Sequence, residues 1–148
     1  MWVPALDGVI DRLRGLAVRW ADAPMLARTH GQPATPTTMG KELAVFVHRL
    51  DRLKERILAV EITGKANGAS GDFAAHVVAA PDTDWQALTK RFVESLGLVW
   101  NPLTTQIESH DWQVELYGRI EHAGGVLHNL CTDAVSYTHL TLPTKRIV

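Results

Sequence analysis

The sequence predicts an all-α protein, an elongated helical bundle. Two observations carry that prediction. Apolar residues recur at alternating spacings of three and four over two long stretches, the pattern that lays one stripe along a helix. One of those stretches, Pro36 to Thr63, would run about 40 Å at about 1.5 Å per residue. A sphere holding a chain of this length is only about that wide. Such a rod fits an elongated bundle better than a small globule, with partner helices supplied by further sequence or by other subunits.

The elements follow in order. Val3, Leu6, Ile10, Leu13, Ala17 and Trp20 share one stripe, with Asp11, Arg12, Arg14 and Arg19 off it, and Asp22 and Pro24 mark the end of this first helix. In the second helix, Met39, Leu43, Phe46, Leu50, Leu53, Ile57 and Val60 form the stripe. Thr35 suits its N-cap, Pro36 its first turn and Gly64 its C-terminal cap. A glycine-rich stretch from Gly64 to Gly71 follows, read as a helix terminator and flexible turn. Asp72 to Ala80 suggests a short helix closed by Pro81. Asp82 or Asp84 then caps a helix carrying Trp85, Leu88, Phe92 and Leu96 and ended by Gly97. A polar loop, Asn101 to Glu108, leads to a last helix from His110 or Asp111, with Leu116, Ile120, Leu127 and Leu130 along it. From Ser136 onward the helical period is lost and Pro143 forbids its continuation.

Composition narrows the function classes. The chain has 148 residues, 46% hydrophobic and 21% charged, with a formal net charge of −1. That is ordinary globular composition, and it offers no cationic field for nucleic acid or anionic lipid. No apolar run approaches the roughly 20 residues that span a bilayer, so neither nucleic acid nor membrane is an expected partner. The beginning of the sequence carries no secretory pattern, and a single cysteine, Cys131, fits a reducing cytoplasm. Cys131 reads as a small core residue and the five tryptophans as packing residues.

Two polar loops are the candidates for chemistry. Arg28-Thr29-His30-Gly31-Gln32-Pro33-Ala34-Thr35-Pro36 joins the two long helices. Its prolines restrict the connector, so His30 is held at little entropic cost. The amides opening the next helix favour an anion. An imidazole beside an anion is suited to proton transfer near neutral pH. The alternative is a tight interhelical loop whose histidine only caps or hydrogen-bonds locally. In the second loop, Gln106 carries donors and an acceptor fit for an amide, a carboxylate or a purine edge; ordinary turn and capping chemistry is the competing reading. Gly64 to Gly71 lacks the spacing of a phosphate-binding loop, which leaves Lys65 and Asn67 without an assigned role. The histidines and the one cysteine show no metal-ligand spacing, so no metal is expected.

Three separated blocks carry a resemblance: RTHGQPATPTTMGKE (28–42), GKANGASGDFAAHVVAAPDTDW (64–85) and SLGLVWNPLTTQIESHDW (95–112). In this order they resemble the adenylosuccinate lyases of the fumarase/aspartase superfamily, over roughly residues 1–135. The resemblance implies a fragment of the central helical domain of such a lyase. It implies β-elimination of fumarate from adenylosuccinate, giving AMP, and from the succinylated aminoimidazole carboxamide ribotide of purine biosynthesis. No metal or organic cofactor takes part. His30 matches the histidine general acid, Thr29 a residue contacting substrate, and Gln106 a substrate-binding glutamine. The resemblance also implies a cytoplasmic homotetramer whose active sites draw on three subunits.

The sequence departs from that pattern in two places. Nothing in it matches the serine-bearing loop that supplies the base, so the fragment alone is expected to be inactive. Residues 136–148, SYTHLTLPTKRIV, are unlike the family and read as an irregular, artefactual tail. Two other functions stay open: a sister lyase such as argininosuccinate lyase, or a non-catalytic helical assembly module that presents its apolar seams to partners.

Overall fold

In the computed structural model residues 2–138 are described. The chain divides into two compact units, Met1–Leu58 with Arg119–Val148, and Ala59–Gly118. Helices dominate both, with a two-stranded sheet in each.

In the first unit, α1 (Trp2–Arg19) and α2 (Met39–Leu58) are antiparallel neighbours. Lys54 pairs with Asp7 at 2.7 Å and Arg14 with Asp51 at 2.9 Å, so residue numbers rise along one helix as they fall along the other. Leu6, Ile10 and Leu13 of α1 and Phe46, Val47, Leu50, Leu53 and Ile57 of α2 form the core, which follows from their placement on the two expected stripes. At the hairpin end the helices nearly touch. A Cβ on Gly40 would stand 2.6 Å from the Ala21 Cα, so only glycine lets the backbones approach this closely. The Gly40 amide donates to the Trp20 carbonyl at 2.9 Å across that contact.

The connector between α1 and α2 is a β-hairpin, β1 (Pro24–Thr29) against β2 (Gln32–Thr38). This corrects the expected helix start. Pro36 lies in β2, opposite Leu26, and α2 begins at Met39. The physical reason is that proline pushes the residue before it into extended backbone, and two prolines in the segment favour strand over helix. Thr38 is the cap, its hydroxyl accepting from the Lys41 amide at 3.2 Å. The helix also ends sooner, at Leu58. Its 20 residues span about 30 Å, which removes the length argument for a 40 Å rod. The long helix α5 (Asp111–Thr138) contributes its residues from Arg119 onward to this unit, burying Ala123 and Val126. Arg119 donates to the Arg56 carbonyl. Cys131 is exposed, off the buried face, rather than in the core.

In the second unit, β3 (Thr63–Gly64) runs parallel to β4 (Val99–Trp100), so Gly64 is a strand residue and not a helix cap. Between them lie α3 (Ala74–Ala79) and α4 (Trp85–Ser95). Asp84 caps α4, accepting from the Ala87 amide at 3.0 Å, and Gly97, at φ 77°, follows its end. The buried face of α4 differs from the expected stripe. Thr89 and Val93 are buried, while Leu88, Phe92 and Leu96 are exposed.

Ser136, Tyr137 and Thr138 continue α5. The rest of the expected irregular tail, from residue 139, lies outside the described residues. Among those described, no helix is long and apolar enough to cross a membrane.

Candidate active site

The first candidate loop is the tip of the β1–β2 hairpin. Thr29 faces Gln32, leaving His30 and Gly31 as a two-residue turn. Both have positive φ, 50° for His30 and 75° for Gly31. Left-handed backbone at both central positions gives a type I′ turn, whose twist matches that of the strands it joins. Gly31 adopts this conformation without cost. His30 does not, because its Cβ crowds the following carbonyl. A residue better suited to the turn, such as asparagine, is thus passed over in favour of an imidazole. The Arg28 guanidinium donates to the Gly31 carbonyl at 3.0 Å and closes the tip. The Arg28 amide donates to the Tyr137 hydroxyl at 3.2 Å, tying the hairpin to α5 beside an irregularity between Leu26 and Arg28.

At the base of the hairpin, Glu42 accepts from the Thr37 hydroxyl at 2.8 Å and from Lys41 at 3.0 Å. Partial burial disfavours the Glu42 charge, but the bonds from Lys41 and Thr37 outweigh it and hold the carboxyl below its ordinary value. Thr29 and His30 are both exposed at the tip, where the imidazole is open to a ligand and carried on fixed backbone.

The second candidate loop belongs to the other unit. Asn67 is completely buried and exchanges two hydrogen bonds with the Thr104 hydroxyl, at 2.9 and 3.1 Å. Gly71, at φ 80°, packs against the same residue, and a Cβ there would be built into the Thr104 carbonyl. Lys65 donates to three carbonyls: Gly68 at 2.9 Å, Thr105 at 2.7 Å and Gln106 at 2.7 Å. Glu108 is buried and accepts from Thr63 at 2.7 Å, Asn101 at 3.0 Å and the His110 amide at 2.6 Å. Burial works against the Glu108 charge; the donors from Thr63, Asn101 and His110 overcome it and lower the carboxyl's pKa. The Gln106 side chain is exposed on this pinned loop.

Thr29 and His30 thus come together at one tip, and Gln106 stands in the other unit. The expected flexible turn from Gly64 to Gly71 is instead stitched to the second loop through Lys65 and Asn67. Those two residues, with Thr104 and Glu108, are the ones that sequence reasoning left unassigned. Each has a partner 37 to 45 positions away, beyond the reach of any local spacing rule. Among the described residues no group of three or more His, Cys, Asp or Glu could hold a metal ion.

Comparison with known proteins places the chain. A protein named adenylosuccinate lyase from Escherichia coli (strain K12) is 46% identical over 138 residues, 93% of this chain and 30% of that protein. A solved fumarate lyase from Mesorhizobium sp. BNC1 superposes with a TM-score of 0.76 at 26% identity, over 93% of this chain and 32% of that one. A 3-carboxy-cis,cis-muconate lactonizing enzyme from Pseudomonas putida superposes at 0.73 with 27% identity, over 88% and 29% of the two chains. The chain spans about 30% of the length of the curated relatives it matches. The family described as Lyase matches residues 2–140, and the chain belongs to that lyase family.

Proposed function

We propose that residues 1–135 are part of the central helical domain of an adenylosuccinate lyase. In the reaction, a base removes a proton beside a substrate carboxylate, leaving a carbanion stabilised as its aci-carboxylate. The C–N bond then breaks, and His30 gives its proton to the departing nitrogen as AMP and fumarate separate. Thr29 contacts the substrate beside it, and Gln106 holds a substrate polar group through its amide. The base comes from a segment not matched in these residues, so this chain by itself does not turn over substrate. The same chemistry acts on the succinylated ribotide. The working enzyme is a cytoplasmic homotetramer needing no cofactor.

The observation that carries this reading is the presentation of His30. An exposed imidazole occupies an αL position at the tip of a two-residue hairpin turn, a conformation that histidine adopts only against backbone strain. The sequence identity to proteins named adenylosuccinate lyase supports the choice of substrate. The test is a chimera in which residues 2–135 replace the matching segment of the Escherichia coli enzyme. We expect turnover of adenylosuccinate there, and a loss of about 10²–10⁴-fold with His30→Ala. Near-normal activity of that variant would overturn the role of His30.

A sister activity in the same superfamily is the second reading, favoured by the superposition on the fumarate lyase and on the lactonizing enzyme. Parallel assays with adenylosuccinate and argininosuccinate separate the two.

A further inference from the structure

We infer that Lys65 is a positioning residue for Gln106, acting through the backbone of the loop and not on the substrate. This rests on the reading of Gln106 as a substrate ligand. The loop has two anchors. Thr104 is fixed by buried Asn67 and by the close approach of Gly71. Glu108 is fixed by Thr63, Asn101 and the His110 amide. Between them lie Thr105, Gln106 and Ile107, all with exposed side chains, so packing does not hold them.

The Thr104 hydroxyl reaches the Thr105 carbonyl at 3.1 Å, and the charged hold on the span is one ammonium group. The Lys65 Nζ has three hydrogens to donate, and it spends them on the carbonyls of Gly68, Thr105 and Gln106 at 2.9, 2.7 and 2.7 Å. These are short, charge-assisted bonds, and two of the three grip consecutive residues, Thr105 and Gln106. The third ties the same nitrogen back to its own loop at Gly68, so the lysine is fixed at both ends. With its donors committed to backbone, Lys65 has no hydrogen left for a ligand. It therefore acts by fixing where the Gln106 amide points.

Without Lys65, the span from Thr105 to Ile107 would sample several conformations, and Gln106 would meet the substrate in only some of them. Affinity would fall by the fraction of time the loop is misplaced. The chemical step, carried by other groups, would be unchanged once substrate is bound.

A double-mutant cycle in the chimeric lyase tests this, alongside amide hydrogen exchange on the present chain. We expect Lys65→Met to raise KM about tenfold with kcat within about twofold, the signature of lost uniform binding. In a Gln106→Ala background the same substitution should add nothing further, because it acts through Gln106. In the present chain, exchange should quicken at residues 105–107 and not at Asn67. If Lys65→Met fails to fold, Lys65→Arg supplies the same cycle, since it keeps the charge but offers a planar fork where three carbonyls converge. Additive effects in the cycle, or unchanged KM and exchange, would overturn the role of Lys65 while leaving Gln106 intact. A Gln106→Ala enzyme with normal kinetics would overturn the ligand assignment itself, and the positioning role with it.

Discussion

Glu108 shows how a single buried carboxylate can organise a loop. Its three donors are a hydroxyl, a side-chain amide and a backbone N–H, and all three favour the charged form. The native carboxyl therefore holds its proton less tightly than its ordinary value of 4.5. Between the lowered native value and the ordinary one, the unfolded chain binds more protons than the folded one. The stability Glu108 contributes is complete above the ordinary value and is lost as pH falls through the native one. Urea denaturation from pH 7 to pH 3 should show a steep acid limb in the wild type and a shallower one in Glu108→Gln. Identical limbs would mean that the carboxylate does not couple loop stability to pH. Nothing in the local sequence marks this residue: Glu108 follows Ile107 in a polar loop, and of its side-chain partners Asn101 opens the same loop while Thr63 comes from a distant segment.

At the scale of elements, the hairpin and α4 each separate what local pattern tells from what it hides. The His30-Gly31 turn predicts a conflict between stability and activity. Asparagine tolerates left-handed backbone better than histidine, and Asn-Gly is the pair best suited to a type I′ turn. His30→Asn should therefore raise stability by about 0.5–1 kcal/mol while lowering turnover of the chimeric lyase as far as His30→Ala does. A variant that is no more stable would show that His30 bears no strain. The segment from Arg28 to Pro36 was legible as a stiff connector bearing a histidine. Its strand pairing was not, because β1 and β2 lack the alternation of a half-buried sheet; β2 is largely exposed.

Helix α4 was legible in its cap and its end, and misleading in its face. The apolar residues Leu88, Phe92 and Leu96 make the better hydrophobic stripe, yet Thr89 and Val93 are the buried ones. Thr89 can be buried because its hydroxyl donates back to the Trp85 carbonyl at 2.8 Å, which satisfies it within the helix. Val93→Ala should then cost about 1–3 kcal/mol, and Phe92→Ala, at 55% exposure, less than about 0.5 kcal/mol. Thermal melts of the two variants decide which face is core. The reverse order would restore the stripe read from the sequence.

For the molecule as a whole, the apolar surface left uncovered within each unit is the dominant fact. In the second unit Leu88, Phe92 and Leu96 line one helix face, and Val77 and Val78 are exposed on α3. Surfaces of this kind are covered in stable proteins by further chain or by other subunits. Sedimentation velocity across a concentration series should give a mass rising above that of one chain. A constant monomer mass would count against both the tetramer and the assembly-module reading. Self-association together with an unchanged response to AMP or fumarate would favour the module.

The sequence by itself determined the helical class, the positions of α1, α3, α4 and α5 to within a few residues, and the two loops bearing His30 and Gln106. These are local properties, set by period, caps and turn-forming residues, and they can be read without knowing what touches what. Only the tertiary structure decided that the connector is a hairpin, that Gly64 belongs to a strand, and that Lys65, Asn67 and Glu108 pin the glutamine loop. The hairpin rests on pairing between neighbouring strands that carry no alternating pattern; the others depend on partners far along the chain, and a hydrogen bond between distant segments exists only once folding has brought donor and acceptor within about 3 Å.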